Sequence, residues 1–170
     1  MLGPALTVQG CLNTSHTTLI DVTSNEDLTA NGGQARVEAA DGTFGEISLA
    51  FDDPNLGFTK LVFNLNATVD TTATFTVSLV GEPDFVIPNV ALSATGNNFY
   101  TLEMINGEIA TSFSLSTTDT IQDVRQSRIT AVQIPTVVPE PTSLVLLGGA
   151  LAGLGMFRHR RRKFHSGPAS

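Results

Sequence analysis

The chain has 170 residues and a formal net charge of −7, with one cysteine and no tryptophan. That charge is divided unevenly, because residues 1–138 hold four Lys/Arg against fifteen Asp/Glu whereas residues 139–170 hold five Lys/Arg against Glu140 alone. The acidic body repels nucleic acid and anionic membranes, and the lone Cys11 excludes an intramolecular disulfide. A body of this length can bury one good core but not two.

The first residues lack both features of a cleavable secretory signal. Residues 1–8 contain no basic group, and they contain no apolar run of the ~7–15 residues that such a signal needs. We therefore expect residues 1–16 to be an N-terminal segment that is either disordered or the truncated start of a longer chain.

The body beyond residue 16 shows a period-two hydrophobic pattern, which is typical of half-buried antiparallel strands. In residues 58–68 apolar side chains alternate with polar ones, so that one face has Leu61, Phe63 and Leu65 and the other has Lys60, Asn64 and Asn66. The same pattern predicts strands at residues 44–52, 73–80, 98–105 and 109–117. Weaker candidates, of which the last does not keep strict alternation, are residues 18–23, 34–40 and 127–134.

Turn signals separate these candidate strands. Residues that favour tight turns occur at Asn31-Gly32-Gly33, Asp41-Gly42, Asp53-Pro54-Asn55, Gly81-Glu82-Pro83, Gly96-Asn97-Asn98 and Asn106-Gly107. Asn106-Gly107 lies between two apolar runs and is the strongest hairpin signal in the chain. About eight short strands separated by such turns predict an all-β fold, an antiparallel β-sandwich or jelly roll over residues 17–134.

Few residue patterns in the body indicate chemistry, and we predict no catalytic, metal or cofactor site there. His16 lacks the context of a nucleophile elbow or a metal motif and is expected to be an exposed loop residue. Asp52-Asp53-Pro54-Asn55 could offer oxygen ligands to Ca²⁺, but the EF-hand spacing is absent, and a strand end running into a turn is the favoured interpretation. The same interpretation holds for Asn25-Glu26-Asp27 and for Glu82 with Asp84.

The sequence leaves carbohydrate chemistry open. Carboxylate pairs for glycoside hydrolysis meet in space and need not be near each other in sequence. Sugar binding usually uses exposed Trp or Tyr rings, whereas this chain has no Trp and its single Tyr100 falls in a core-like alternation. The glycosylation sequons at Asn13 and Asn66 are interpreted as chance matches.

The C-terminal region combines an uncharged apolar run with a basic cluster. The run, residues 142–157, would make a helix of about 24 Å, which is slightly shorter than the ~30 Å hydrocarbon layer. A snorkelling arginine side chain or a locally thinned bilayer compensates for the missing length. The basic cluster that follows is Arg158, Arg160, Arg161, Arg162 and Lys163. Because positive flanks stay in the cytoplasm, we predict a linker at residues 135–141, a transmembrane helix at 142–157, a cytoplasmic tail at 158–170 and a body outside the cytoplasm. A buried core helix or a nuclear-localisation signal is the less favoured interpretation.

Three segments in a fixed order carry a family resemblance. Val138, Pro139, Glu140 and Pro141, then the apolar run, then the arginine cluster make residues 138–163 similar to the PEP-CTERM sorting signal of exported bacterial proteins. The resemblance implies that a membrane-embedded exosortase recognises residues 138–141 and cleaves the chain near them. It also implies that residues 142–157 span the membrane only transiently and that Arg158 to Lys163 act as the stop-transfer flank.

The function expected from these observations is that of a non-enzymatic protein of the cell surface or extracellular matrix, exported through an inner-membrane intermediate. Its expected partners are the exosortase, the membrane through residues 142–157 and extracellular polysaccharide, without nucleic acid. The alternative is a carbohydrate- or Ca²⁺-binding β-sandwich module displayed by the same tail. No motif supports a membrane-anchored enzyme.

Overall fold

A computed structural model describes residues 4–31, 35–96 and 98–135, and every regular element within them is a β-strand. In chain order the strands are β1 (Ala5–Leu12), β2 (Ser15–Asn31), β3 (Arg36–Ala39), β4 (Phe44–Phe51), β5 (Leu56–Ala67), β6 (Thr71–Leu79), β7 (Phe85–Leu92), β8 (Asn98–Glu103) and β9 (Ala110–Gln133). One compact unit ends at Pro135. The all-β prediction is confirmed, and the predicted helix at residues 142–157 lies outside the described residues.

The described strands form one continuous sheet that folds into two halves, because β2 and β9 change partners along their length. The early part of β9 pairs with β4 and β6, and its later part pairs with β3 and β5. Similarly, β2 pairs with β4 through residues 20–24 and with β3 through residues 28–31. We call β1, β4, β6 and β7 with the early parts of β2 and β9 the β6 half, and the remaining strands the β5 half. The result is sandwich-like.

The strand β9 reverses its direction as it passes from one half to the other. All of its pairings are antiparallel, yet Phe58 is a register partner of both Ala110 and Ala131, which lie near the two ends of β9. The pairing with β4 shifts between Ser116 and Ile121, so the reversal falls there. Both ends of β9 therefore lie at the same end of the sheet.

Aromatic rings fill the core between the two halves. Phe63 of β5 and Tyr100 of β8 lie opposite Phe75 of β6 and Phe113 of β9, with ring centroids 4.9 to 5.7 Å apart. Each such ring pair adds about 0.5–1.5 kcal/mol beyond the burial of its area. The Tyr100 hydroxyl donates a hydrogen bond to the carbonyl oxygen of Ala91, and partial burial raises the pKa of Tyr100 above its ordinary value. The core-facing position expected for Tyr100 is observed.

The N-terminal segment differs from the expectation of disorder. Residues 5–12 form β1, which pairs antiparallel with β2. In the described part of the chain, Val8 is the only buried side chain of β1, so the strand is held mainly by its hydrogen bonds to β2. A strand of this kind has little apolar alternation, which is why the sequence pattern does not reveal it.

The edge strand β7 is also absent from the sequence-based expectation. Its sequence contains Pro88, which cannot donate a ladder hydrogen bond, and Asn89, whose φ angle is 58°. The pairing of β6 with β7 is irregular at this point, and β7 has no other partner strand among the described residues. A proline inside an apolar run argues against a central strand but is tolerated on an edge.

The predicted strands at residues 109–117 and 127–134 are two parts of the single strand β9. The irregular alternation of the second part has a physical cause, because Gln126 and Ser127 together oppose one residue of β5 in a β-bulge. Gln126 has a φ angle of 57°, and the extra residue brings both Val124 and Ile129 to the core side despite their odd spacing.

The turn at Asn106-Gly107 forms as predicted, but the hairpin does not. The two φ angles are 56° and 82°, and the Glu108 amide donates a hydrogen bond of 3.0 Å to the Ile105 carbonyl oxygen, as in a type I′ turn. The strands on either side are not partners, because β5 lies between β8 and β9 in the sheet. A local turn signal cannot report that a third strand separates its neighbours.

Candidate functional site

Polar side chains are concentrated on the outward surface of the β5 half. Since Phe63 and Tyr100 point into the core, the alternate residues of β5 and β8 point outward. The register aligns these outward residues in four rows: Glu38, Asp123 and Asn66; Arg125, Asn64 and Phe99; Arg128, Val62 and Thr101; Thr130, Lys60 and Glu103. Arg36 lies on the same side of β3 as Glu38. We call this surface the cationic face.

All four Lys/Arg residues of the body lie on the cationic face, namely Arg36, Lys60, Arg125 and Arg128. Three acidic residues share the surface: Glu38, Glu103 and Asp123. Electrostatic screening acts over about 8 Å at physiological ionic strength, which is shorter than the ~10 Å separation of packed sheets. A ligand on this face therefore responds to the local charges more strongly than to the acids on the far side of the body.

The first row of the cationic face contains a buried carboxylate. Asp123 is 0% exposed, and its Oδ2 accepts hydrogen bonds from Arg36 Nη2 at 3.0 Å and from Asn66 Nδ2 at 3.1 Å. Arg125 Nε lies 3.3 Å from Oδ1 as an ion pair without hydrogen-bond geometry. Arg36 also pairs with Glu38 at 2.7 Å. Removing a carboxylate from water costs several kcal/mol, and partners of this kind offset the cost.

The more exposed part of the cationic face lies around Phe99 of the edge strand β8. This residue is 53% exposed. Asn64, beside it in the same row, is buried, whereas Arg128 in the next row is exposed. No ion pair involves Arg128 within the described part of the chain. Guanidinium and amide groups beside an exposed ring can donate hydrogen bonds to hydroxyl or carboxylate oxygens while the ring covers an apolar surface.

Two of the three acidic segments considered for Ca²⁺, residues 52–55 and 82–84, lie in connections between strands, whereas Asn25-Glu26-Asp27 lies within β2 and not at the strand end expected for it. Asp53 Oδ1 accepts hydrogen bonds at 2.9 Å from both the backbone amide and the side chain of Asn55. Asn25 Oδ1 likewise accepts from the Glu46 amide at 3.0 Å, and Glu82 and Asp84 are exposed between β6 and β7. Among the residues that the structure describes, no group of three or more His, Cys, Asp or Glu could hold a metal ion.

The other residues singled out from the sequence are His16, Asn13, Asn66 and Tyr100. His16 is exposed as expected but belongs to the start of β2 rather than to a loop, with its Nδ1 3.9 Å from Cys11 Sγ. Asn13 lies in the turn between β1 and β2, and Asn66 is engaged with Asp123. Tyr100, the one candidate for stacking on a sugar, faces the core and not the cationic face.

The predicted sorting and stop-transfer residues lie outside the part of the chain that the structure describes. These are Val138, Pro139, Glu140 and Pro141 together with Arg158, Arg160, Arg161, Arg162 and Lys163. In the described ranges, no helix is long and apolar enough to cross a membrane. Near the end of the described ranges, the Ile134 amide donates a hydrogen bond to the Asn55 carbonyl oxygen at 2.8 Å.

Sequence reasoning did not find the cationic face. Its residues come from four strands, and Arg36 and Asp123 are 87 positions apart. One signal was present, because Lys60 and Asn64 fall on the polar side of a strand whose other side is apolar. Without the register of β9 against β5, nothing places Arg125 and Arg128 beside them.

Comparison with known proteins identifies the C-terminal segment. The PEP-CTERM protein-sorting motif matches residues 137–162. No curated protein matches the chain significantly. A solved structure of a mutant family 29 carbohydrate-binding module is similar at a TM-score of 0.38 and 13% sequence identity, covering 67% of this chain and 81% of that one. Nothing about the ligand of this chain follows from a similarity at that level.

We expect Asp123→Asn to destabilise the body by about 3 kcal/mol, the lower end for breaking a buried ion pair, because Arg36 and Arg125 keep some exposure to water. The matched control is Glu103→Gln, which breaks the exposed pair with Lys60 and should cost less than about 1 kcal/mol. Urea unfolding of the purified chain, followed by circular dichroism, measures both. Equal losses in the two variants would contradict a central structural role for Asp123.

Proposed function

Since the chain carries a PEP-CTERM protein-sorting motif, we propose that it is an exosortase substrate and a non-enzymatic protein of the bacterial cell surface or extracellular matrix. The motif supports export through the membrane and display at the surface. In this proposal the displayed part is the β-domain, by which we mean the compact unit that ends at Pro135. The only specific recognition event that the chain requires is its own sorting.

The observation that carries the proposal is the position of the motif. It begins at residue 137, just beyond the compact unit that ends at Pro135. Within the described ranges the last buried apolar side chain is Ile121, and the partly buried Val124, Ile129 and Ala131 that pack on the core also precede the motif. Cleavage near residues 139–141 would therefore leave the core of the β-domain complete.

The residues of the tail have separate roles in this proposal. Pro139, Glu140 and Pro141 are the element that the exosortase reads, and the apolar run at residues 142–157 holds the chain in the inner membrane until cleavage. Arg158 to Lys163 stop transfer, because positive flanks remain on the cytoplasmic side. None of these residues is catalytic, since they belong to the substrate.

We expect protein exported by the producing cell to end near residues 139–141 and to lack residues 142–170. Intact-mass spectrometry of the exported material measures this directly. The control variant with Pro139→Ala and Pro141→Ala should remain full length and membrane-associated, because the recognised segment is lost. An intact C-terminus through Lys163 in exported wild-type material would contradict cleavage.

A second candidate function is carbohydrate binding on the cationic face. It is favoured by the exposed Phe99, which lies in the same row as Arg125 with Asn64 between them, and by the exposed Arg128 in the next row. Guanidinium groups can donate to the hydroxyl and carboxylate oxygens of a polysaccharide. Ca²⁺ binding has less support, because the carboxylate of Asp53 and the amide oxygen of Asn25 already accept backbone hydrogen bonds.

If the second candidate is correct, the producer's own polysaccharide raises the melting temperature of the β-domain, because a ligand that binds only the folded state stabilises it. The variants Phe99→Ala and Arg128→Ala should lose most of that shift, whereas Val86→Ala, an exposed change on β7, should keep it. Thermal unfolding with and without polysaccharide, and with millimolar Ca²⁺ as a separate arm, measures the effect. No shift with either ligand would remove this candidate.

A further inference from the structure

The chain leaves the β-domain at a well-defined end, which we call the exit pole. It comprises the turns at residues 52–55, 80–84 and 104–109 together with residues 134–135. Backbone hydrogen bonds hold these segments together: the Ile134 amide donates to the Asn55 carbonyl oxygen at 2.8 Å, and the Val80 amide donates to the Ile109 carbonyl oxygen at 2.9 Å. The pairing of Phe58 with both ends of β9 belongs to the same end of the sheet.

Several large apolar side chains at the exit pole are exposed to solvent. Ile105 is 64% exposed and Phe85, at the start of β7, is 59% exposed, with Val80 between β6 and β7 also exposed. Glu82, Asp84 and Glu108 are exposed on the same turns. A surface that combines apolar side chains with acids suits a protein partner that offers apolar and basic groups.

The few residues between the β-domain and the sorting segment indicate which partner can reach the exit pole. Ile134 is anchored by its hydrogen bond, and Pro139 follows after so few residues that even a fully extended chain spans at most about 18 Å. A globular domain of about 100 residues has a radius of gyration of about 13 Å. An enzyme of that size that grips residues 139–141 therefore lies within about 18 Å of the exit pole, close enough to contact it.

We propose that the exit pole is a docking surface for the extracytoplasmic side of the exosortase, which offers basic and apolar side chains opposite Glu82, Asp84, Glu108, Phe85 and Ile105. This inference rests on the proposed function, because it requires that the sorting segment is read and cleaved. The body then contributes to recognition together with Pro139, Glu140 and Pro141. A lipid surface is the less suitable occupant, since exposed acids are repelled by anionic headgroups.

The test is the rate at which the full-length chain is converted to the mature form in the producing cell, followed by pulse-chase labelling. The exit-pole variant carries Glu82→Lys and Asp84→Lys. The matched control carries Glu26→Lys and Asp41→Lys, which make the same change of charge at exposed positions at the opposite end of the sheet, in β2 and in the β3–β4 connection. We expect the exit-pole variant to be processed about five- to tenfold more slowly and the control at the wild-type rate.

A linker variant separates docking from a general effect on folding. About twelve Gly/Ser residues inserted between Pro135 and Thr136 lengthen the tether and free the enzyme from the exit pole. In this background the exit-pole variant and the control should be processed at equal rates. Thermal unfolding of the purified full-length chains in detergent should give the same melting temperature for both lysine variants.

Each outcome bears on one of the two proposals. If the wild-type chain is not processed, the proposed function fails, and the docking inference fails with it. If the wild-type chain is processed and the two lysine variants match it, the docking inference alone is overturned. Faster processing of the exit-pole variant would also overturn it in favour of a lipid surface, because added lysines attract anionic headgroups.

Discussion

The β-domain depends on β9 belonging to both halves of the sheet, which requires the strand to reverse between Ser116 and Ile121. Asp123 lies directly after this reversal and is fully buried. A buried carboxylate without partners would cost several kcal/mol, and here the partners Arg36, Asn66 and Arg125 come from β3, β5 and β9. The same cluster therefore neutralises the buried charge and ties three strands together where the chain turns back.

The reversal of β9 also determines the end of the β-domain from which the chain continues towards its C-terminus. Because the strand returns, its end lies beside its beginning, and Gly57 is placed between them. A Cβ atom at Gly57 would lie 2.6 Å from the Ala110 carbonyl oxygen, a distance that backbone could not accommodate without a shift. From this end the chain runs through Ile134 into the PEP-CTERM protein-sorting motif. A closed core followed directly by a sorting signal is an arrangement in which the signal can be removed without unfolding the domain.

Sequence reasoning succeeded where side-chain pattern and backbone role coincide. The alternation of Leu61, Phe63 and Leu65 revealed β5, because this central strand buries one face. It failed for β1, which is held by backbone hydrogen bonds, and for β7, where Pro88 breaks an apolar run on an edge. The Asn106-Gly107 turn was found but its strands were paired wrongly, since sheet order depends on long-range packing. The PEP-CTERM protein-sorting motif was identified from sequence, because a short linear signal needs no fold to be read.

We expect both halves of the sheet to form one cooperative unit through β9. Native-state hydrogen exchange of the full-length chain tests this most directly, because it measures the opening free energy of individual amides. The amides of residues 112–116 and of residues 124–129 should exchange through one opening, with the same free energy as global unfolding. Opening free energies that differ between these two segments by more than about 2 kcal/mol would show that the two halves are independent units.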